Sequence, residues 1–323
     1  MRFAVVGAGA IGSLMGGRLA LAGHDVAMLA RGDHLSAIRD RGLRLIEPDG
    51  TERLVAGMTV SDRLDELGRH DVVIVALKAH QIAAMAEALP VLYDDDTVVL
   101  PVQNGVPWWF FQGFGGPYDG QRLRSLDPDG LLEAHIPMRR VLGAVAYPAS
   151  ERPEPGVVKV IEGDRFPLGE LSGERTGRAT SIAGALGEAG FTSRVLTDIR
   201  SNLWIKAWGN LAFNPMSALT GATLSGIARD PRTRALAAEM MREAAAIAEA
   251  LGLRIRVSVE KRIEGAEAVG EHKTSMLRDV EAGRELELEP LVGVFIELGE
   301  LTGTPTPTIA TVYALTRLRA DTG

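Results

Sequence analysis

The chain predicts an α/β fold, a doubly wound parallel sheet, followed by an all-α domain. Three observations carry this. An apolar run, Phe3-Ala4-Val5-Val6, leads straight into Gly7-Ala8-Gly9-Ala10-Ile11-Gly12. Strand-like and helix-like segments then alternate to Arg194. From Thr197 the apolar spacing is helical almost to the end. Alternation first and helices later argues a nucleotide-type sheet domain with a separate helical domain. A length of 323 residues suits two domains. The expected boundary gives a nucleotide-binding domain over 1–196 and a helical substrate and catalytic domain over 197–323.

The first βαβ unit spans Arg2 to Arg31. Four apolar residues without alternation suit a parallel strand buried on both faces. The glycine run fits G-x-G-x-x-G: Gly7 permits the tight turn, Gly9 lets a pyrophosphate approach the backbone, and Gly12 lets helix and strand pack closely. The helix starts near Ala10, so Ala10 and Ile11 lie where open N–H groups and the helix dipole favour a phosphate. A second strand, Asp25 to Ala30, arrives on time. The motif alone is weak; its strand–turn–helix setting makes it specific. An acidic residue at the end of the second strand would bind the ribose 2′-hydroxyl of NAD. Arg31 stands there instead, suited to a charge-assisted pair with a 2′-phosphate, so NADP (NADPH) is the expected cofactor. The plainer alternative is a solvated arginine with Asp33 as a helix N-cap.

Further along, Asp71 to Leu77 reads as a buried strand followed by a helix over Gln81 to Leu89, and Thr97 to Val102 as another strand. Lys78-Ala79-His80-Gln81 follows the first of these strands and Gln103-Asn104-Gly105 the second. Ligands in open α/β sheets sit outside the carboxyl ends of strands, so Lys78 and Asn104 are expected on the edge that carries the glycine loop. Asn-Gly is also an ordinary turn. Residues 107–137 are irregular and open on Trp108-Trp109-Phe110-Phe111. A lid or an aromatic wall over a ligand is one expectation there, and an ordinary packed patch the other.

The stretch Asp198 to Thr220 predicts a long helix, apolar on most faces. Within it Lys206, Asn210 and Asn214 recur every four residues, so at about 100° per residue they share one narrow face. Burying them unpaired would be costly. A polar cleft and a lysine poised as proton donor is the functional reading; a snorkelling lysine with incidental amides is the plain one. Pro215 cannot donate to the carbonyl of Leu211, so a kink or freed carbonyl is expected.

Composition narrows the classes. The balance of 35 basic against 42 acidic residues gives a net charge of −7 with no basic tract, which excludes nucleic acid as the expected partner. The absence of cysteine excludes disulfides, a thiolate nucleophile and a cysteine metal site, and no metal is expected. No apolar run reaches membrane-spanning length, and glycines interrupt the apolar start, so neither a membrane span nor a signal peptide is expected. A cytoplasmic location is the default.

These pieces together resemble the ketopantoate reductase (2-dehydropantoate 2-reductase) family. The matching segments are GAGAIG at 7–12, Arg31, KAHQ at 78–81, QNG at 103–105, IRSNLWIKAWGNLAFNP from Ile199, and SMLRDVEAGRELELE from Ser275, in the family's order over nearly the whole chain. The resemblance implies a Rossmann-like domain and a C-terminal domain of the 6-phosphogluconate dehydrogenase type. It implies Lys206 as the catalytic lysine and Glu287 as the active-site glutamate. It implies Asn104, Asn210 and Asn214 as positioning amides, Ser275 as a contact to the substrate carboxylate, and Lys78 at the nicotinamide end, where Asn104 also serves the cofactor. Glu287 is chosen among Glu285, Glu287 and Glu289 by the resemblance and not by spacing. The departures are Glu289-Pro290-Leu291-Val292-Gly293, where the family carries an acidic residue, an aromatic and Asn-Gly, the long 107–137 segment, and His272.

The expected activity is therefore NADPH-dependent reduction of 2-dehydropantoate to pantoate, with Lys206 as general acid. The alternatives are a reductase of another small 2-keto acid, an opine-type dehydrogenase, or a regulatory NADP-binding protein without catalysis. Expected partners are a small 2-keto acid and at most a second copy of the chain in a homodimer.

Overall fold

A computed structural model describes residues 1–322. The chain forms two compact units. The first comprises Met1–Gln103, Phe111–Arg122 and Asp129–Ile199; the second comprises Asn104–Phe110, Leu123–Pro128 and the chain from Arg200 on. The division is thus not a single cut at 196/197. Two stretches of the irregular segment belong with the helices, because their aromatic side chains and backbone amides find their partners there.

The first unit runs β1 (Arg2–Val6), α1 (Ala10–Leu21), β2 (Asp25–Leu29), α2 (Gly32–Arg41), β3 (Leu43–Ile46), β4 (Glu52–Val55), β5 (Thr59–Ser61), β6 (His70–Val75), α3 (Ala79–Ala86) and β7 (Tyr93–Pro101). It continues with α4 (Leu131–His135), β8 (Gly143–Ala144), β9 (Ala149–Glu151), β10 (Val157–Glu162), β11 (Leu168–Gly169) and α5 (Gly177–Glu188). Strands β5-β2-β1-β6-β7 form one parallel sheet. The order reverses between β1 and β6, which makes the carboxyl edge there a crevice suited to a ligand. Phe3 to Val6 and Val72 to Val75 are fully buried, as expected of central strands covered on both faces.

A second sheet, β4-β3-β10-β9, was not foreseen. Its signal is the Glu47–Thr51 turn, where the Thr51 amide donates to Asp49 (2.9 Å) and Glu47 and Thr51 are paired through the backbone. Pro-Asp-Gly between two short runs is a hairpin cue that went unread.

The second unit contains α6 (Ile199–Thr220), α7 (Leu224–Arg229), α8 (Pro231–Ala250), α9 (Val259–Ala268), α10 (Ser275–Glu281), α11 (Val294–Thr302) and α12 (Pro307–Thr322). α6 runs on through Pro215. Trp204, Trp208, Leu211 and Phe213 are buried, and the Trp208 indole donates to the Met241 carbonyl (2.6 Å). Trp204 packs between Phe110 and Phe295, with ring centroids 5.8 and 5.2 Å apart.

The residues 107–137 behave as packing, not as a wall or lid. Trp108, Trp109, Phe110 and Phe111 are all buried, and Phe111 packs on Phe114 and Tyr118. Glu297 of α11 accepts from the amides of Arg124 (2.7 Å) and Ser125 (2.9 Å) and from the Ser125 hydroxyl (2.5 Å). Four large aromatics bury far more apolar surface as core than as a cover, and the irregular backbone is satisfied by a carboxylate. Among the described residues no helix is long and apolar enough to cross a membrane.

Candidate active site

In the first unit the glycine loop joins β1 to α1 at the reversal of strand order. Gly7 adopts φ +109°, which favours glycine, and Gly12 lies so close to Gly7 that a Cβ would overlap the Gly7 carbonyl. Both are needed by the protein itself. Gly9 is different. It is exposed, its φ is −71°, and a Cβ built there would meet no protein atom within 4 Å. Neither backbone nor packing asks for glycine at 9, so the bare position leaves room for something outside the chain. Gly9 also starts α1 with no capping side chain and no acidic residue in the first turn, so the helix opens on bare N–H groups beside Ala10 and Ile11. The arrangement fits a dinucleotide pyrophosphate.

Arg31 follows β2, is exposed, and lies with a guanidinium nitrogen 3.5 Å from the Met85 sulfur of α3. Asp33 does not cap α2; Arg31 occupies that position in extended conformation without a side-chain cap. Lys78 precedes α3, half-buried, and its amide donates to Gln81 (3.4 Å). β1 and β6 are neighbours, so the glycine loop and Lys78 leave adjacent strand ends.

In the second unit, three distant segments converge. The Lys206 amine donates to Oδ1 of Asn104 at 2.7 Å. Burial pushes the amine pKa down to about 8, and the Glu287 carboxylate pulls in the opposite direction. Asn104 is held by its neighbour. Gly105 has φ +83°, and a Cβ there would overlap the Pro290 carbonyl. That carbonyl accepts the Val106 amide (3.0 Å). Residues Glu289–Gly293 form one widened π turn ahead of α11. Such turns often mark functional sites. Pro290, noted in the sequence only as a departure, thus docks the Asn104-Gly105 turn three residues from Glu287.

The structure also separates the three glutamates. Glu289 accepts from the Tyr313 hydroxyl (2.7 Å) and pairs with Arg317, which assigns it to holding α12. Glu285 is exposed. Glu287 is the one whose charge acts on Lys206. Its approach is shaped by a clamp that sequence reading missed: buried Asp279 accepts from the Arg284 guanidinium (2.8 Å), and its carbonyl accepts the Arg284 amide (2.8 Å), closing the reversal after α10. The signal was inside the quoted SMLRDVEAGR segment, as an acid and a base on either side of a glycine.

Asn210 and Asn214 follow Lys206 along α6, Asn214 buried at 5 % exposure. Ser275 is the exposed first residue of α10, whose cap is Thr274. His272 is half-buried, its flanking residues committed elsewhere: Glu271 to Thr223 and Ser225, Lys273 to Glu281.

A dinucleotide loop on a doubly wound sheet, with a helical unit carrying a buried lysine beside an amide and a carboxylate, defines the class: a nicotinamide-dinucleotide-dependent dehydrogenase. The chain matches the family described as "Ketopantoate reductase PanE/ApbA" over residues 3–109 and "Ketopantoate reductase PanE/ApbA C terminal" over residues 198–320. It is 50% identical to a 2-dehydropantoate 2-reductase of Mesorhizobium japonicum, covering 98% of this chain and 97% of that one. Among solved structures, it is 41% identical to a protein of Ralstonia solanacearum MolK2, with a TM-score of 0.94 and coverage of 99% and 98%. A 2-dehydropantoate 2-reductase of Geobacter metallireducens GS-15 is 29% identical, with a TM-score of 0.86 and coverage of 98% and 99%. The chain belongs to the ketopantoate reductase family.

Proposed function

We propose that the protein reduces the ketone of 2-dehydropantoate to pantoate with NADPH, a step toward pantothenate, and that Lys206 is the general acid. The observation that carries this is the Lys206–Asn104 hydrogen bond at 2.7 Å, on an amine whose pKa burial has brought down to about 8. An ammonium with that pKa is still mostly charged at neutral pH yet gives up its proton far more readily than an ordinary lysine. Bound NADPH supplies the hydride. The chain's part is to hold the two reactants and to manage the proton. Gly9, Ala10 and Ile11 take the pyrophosphate between Gly7 and Gly12, Arg31 takes the 2′-phosphate, and Lys78 and Asn104 serve the nicotinamide end. Lys206 stabilises the alkoxide that develops on the carbonyl oxygen and then protonates it. Glu287 keeps the lysine charged until that moment. With Oδ1 of Asn104 engaged by Lys206, its NH₂ is the side that can donate to the substrate. Asn210, Asn214 and Ser275 supply further donors for a carboxylate and a hydroxyl. Lysine and glutamate in this relation are what a reductase needs and what a regulatory nucleotide sensor does not.

The test is NADPH oxidation with 2-dehydropantoate and a panel of other small 2-keto acids. The highest kcat/KM on 2-dehydropantoate is expected; a clear preference for another acid would move the substrate assignment and leave the chemistry standing. NADH used as well as NADPH would remove the role given to Arg31.

A further inference from the structure

Outside the motifs lies one cation that the fold delivers to the glycine loop. The turn between β9 and β10 reads Arg152-Pro153-Glu154-Pro155-Gly156. Two prolines fix its backbone, and three contacts bolt it down. The Gly156 amide donates to Nδ1 of His34 (2.9 Å), the Gly156 carbonyl accepts the Arg44 amide (2.8 Å), and Glu154 pairs with the Arg44 guanidinium (2.7 Å). Because Nδ1 accepts, His34 carries its proton on Nε2 and donates to Ser13 (3.1 Å), the residue after Gly12. The proline turn, α2 and the start of α1 are thereby one rigid assembly.

From this turn Arg152 reaches the glycine loop and donates one N–H to the Ala8 carbonyl (3.1 Å). A guanidinium has five such donors. No carboxylate pairs with Arg152 among the described residues; its neighbours are spoken for, Glu151 by Lys159 and Glu154 by Arg44. The residue stays exposed despite its anchor. An oriented, uncompensated arginine beside a dinucleotide loop is suited to a phosphate. Which phosphate follows from Ala8. Its amide donates to the Leu29 carbonyl (3.0 Å), so the Ala8 peptide abuts the end of β2, two residues before Arg31. The pyrophosphate belongs instead to the open amides at the start of α1.

We propose that Arg152 is a second ligand for the adenosine 2′-phosphate and a determinant of NADP preference alongside Arg31. A dianionic phosphate is then met by two arginines, one from the end of β2 and one from the β9–β10 turn. The inference rests on the NADPH reading above.

The test is calorimetric binding of NADPH, NADH, 2′,5′-ADP and 5′-ADP to the full chain and to Arg152→Ala, with thermal melting of both proteins. The variant is expected to bind NADPH and 2′,5′-ADP about tenfold or more weakly, and NADH and 5′-ADP within about twofold of the parent. Arg152→Lys should recover part of the loss, since a point cation remains. Equal weakening of NADH and NADPH would overturn the proposal, leaving Arg152 as a support for the Ala8 carbonyl. Unchanged NADPH affinity would overturn it too, with the NADPH reading intact. A parent that binds NADPH no more tightly than NADH would remove both.

Discussion

The glycine loop and the Lys206 site are built from opposite materials. The loop is backbone: six consecutive residues, a positive φ at Gly7, a close approach at Gly12 and bare amides at the start of α1. The lysine site is side chains: Asn104, Lys206 and Glu287, each from a different segment and joined only in three dimensions. A backbone site is specified by what its residues lack, and a side-chain site by what surrounds it. The first tolerates change in its neighbours and fails on an added methyl. The second depends on burial, which shifts the chemistry of its central group.

The sharpest break in this comparison is at Lys206. Lys206→Ala should cut kcat by roughly 10²–10⁴ while the NADPH dissociation constant stays within about twofold. Lys206→Met keeps the stem and removes the charge, so equal losses in both variants would tie the effect to the proton and not to packing. Stopped-flow turnover and fluorescence titration of NADPH measure the two sides; near-normal turnover in either variant would make the lysine a bystander.

Next in size is the joint that places Asn104. Gly105→Ala should cost about 2 kcal/mol or more, from its positive φ and the overlap with the Pro290 carbonyl, and should lower kcat with it. Urea unfolding of the variant would show a parent-like midpoint if that joint were loose.

Gly9→Ala probes the opposite material. It should leave the melting temperature unchanged, because no protein atom lies within 4 Å of the added carbon, and weaken NADPH about tenfold. A fall in stability with parent-like NADPH affinity would place the need for glycine inside the protein.

The pH profile gives a smaller, signed effect. Lys206 is charged below a pKa of about 8, so kcat/KM should fall as pH rises through about 8. Glu287 raises that pKa, so Glu287→Gln should move the falling limb to lower pH. A limb that stayed in place would separate Glu287 from the lysine.

The smallest effect concerns stability. Burial first, and the Arg152 charge second, hold His34 down to about 4 from an ordinary 6.5. Between those values the unfolded chain binds a proton that the folded chain refuses, so stability should fall as pH drops from about 6.5 to about 4. His70, lowered by burial as well, adds in the same direction. The His34→Gln variant should therefore show a shallower decline than the parent in chemical unfolding across that range, and an identical slope would discount His34.

By itself the sequence determined the parts whose physics is local. β1, the glycine loop, α1 and β2 were legible because burial on both faces writes an unbroken apolar run and a tight turn writes glycine. The shared face of Lys206, Asn210 and Asn214 was legible because helical periodicity is a property of the chain. The second sheet went unread because short half-buried strands leave weak patterns, and the 107–137 segment was misjudged because four aromatics in a row look the same whether they cover a ligand or fill a core. Which glutamate faces the lysine could not be read from Glu285, Glu287 and Glu289, whose spacing is uniform; it was decided by the π turn, the Asp279–Arg284 clamp and the claim of Tyr313 and Arg317 on Glu289. Only the tertiary structure could bring Asn104 within 2.7 Å of Lys206 and lower that amine to about 8, because desolvation and electrostatic pull depend on distance in space and not on position along the chain.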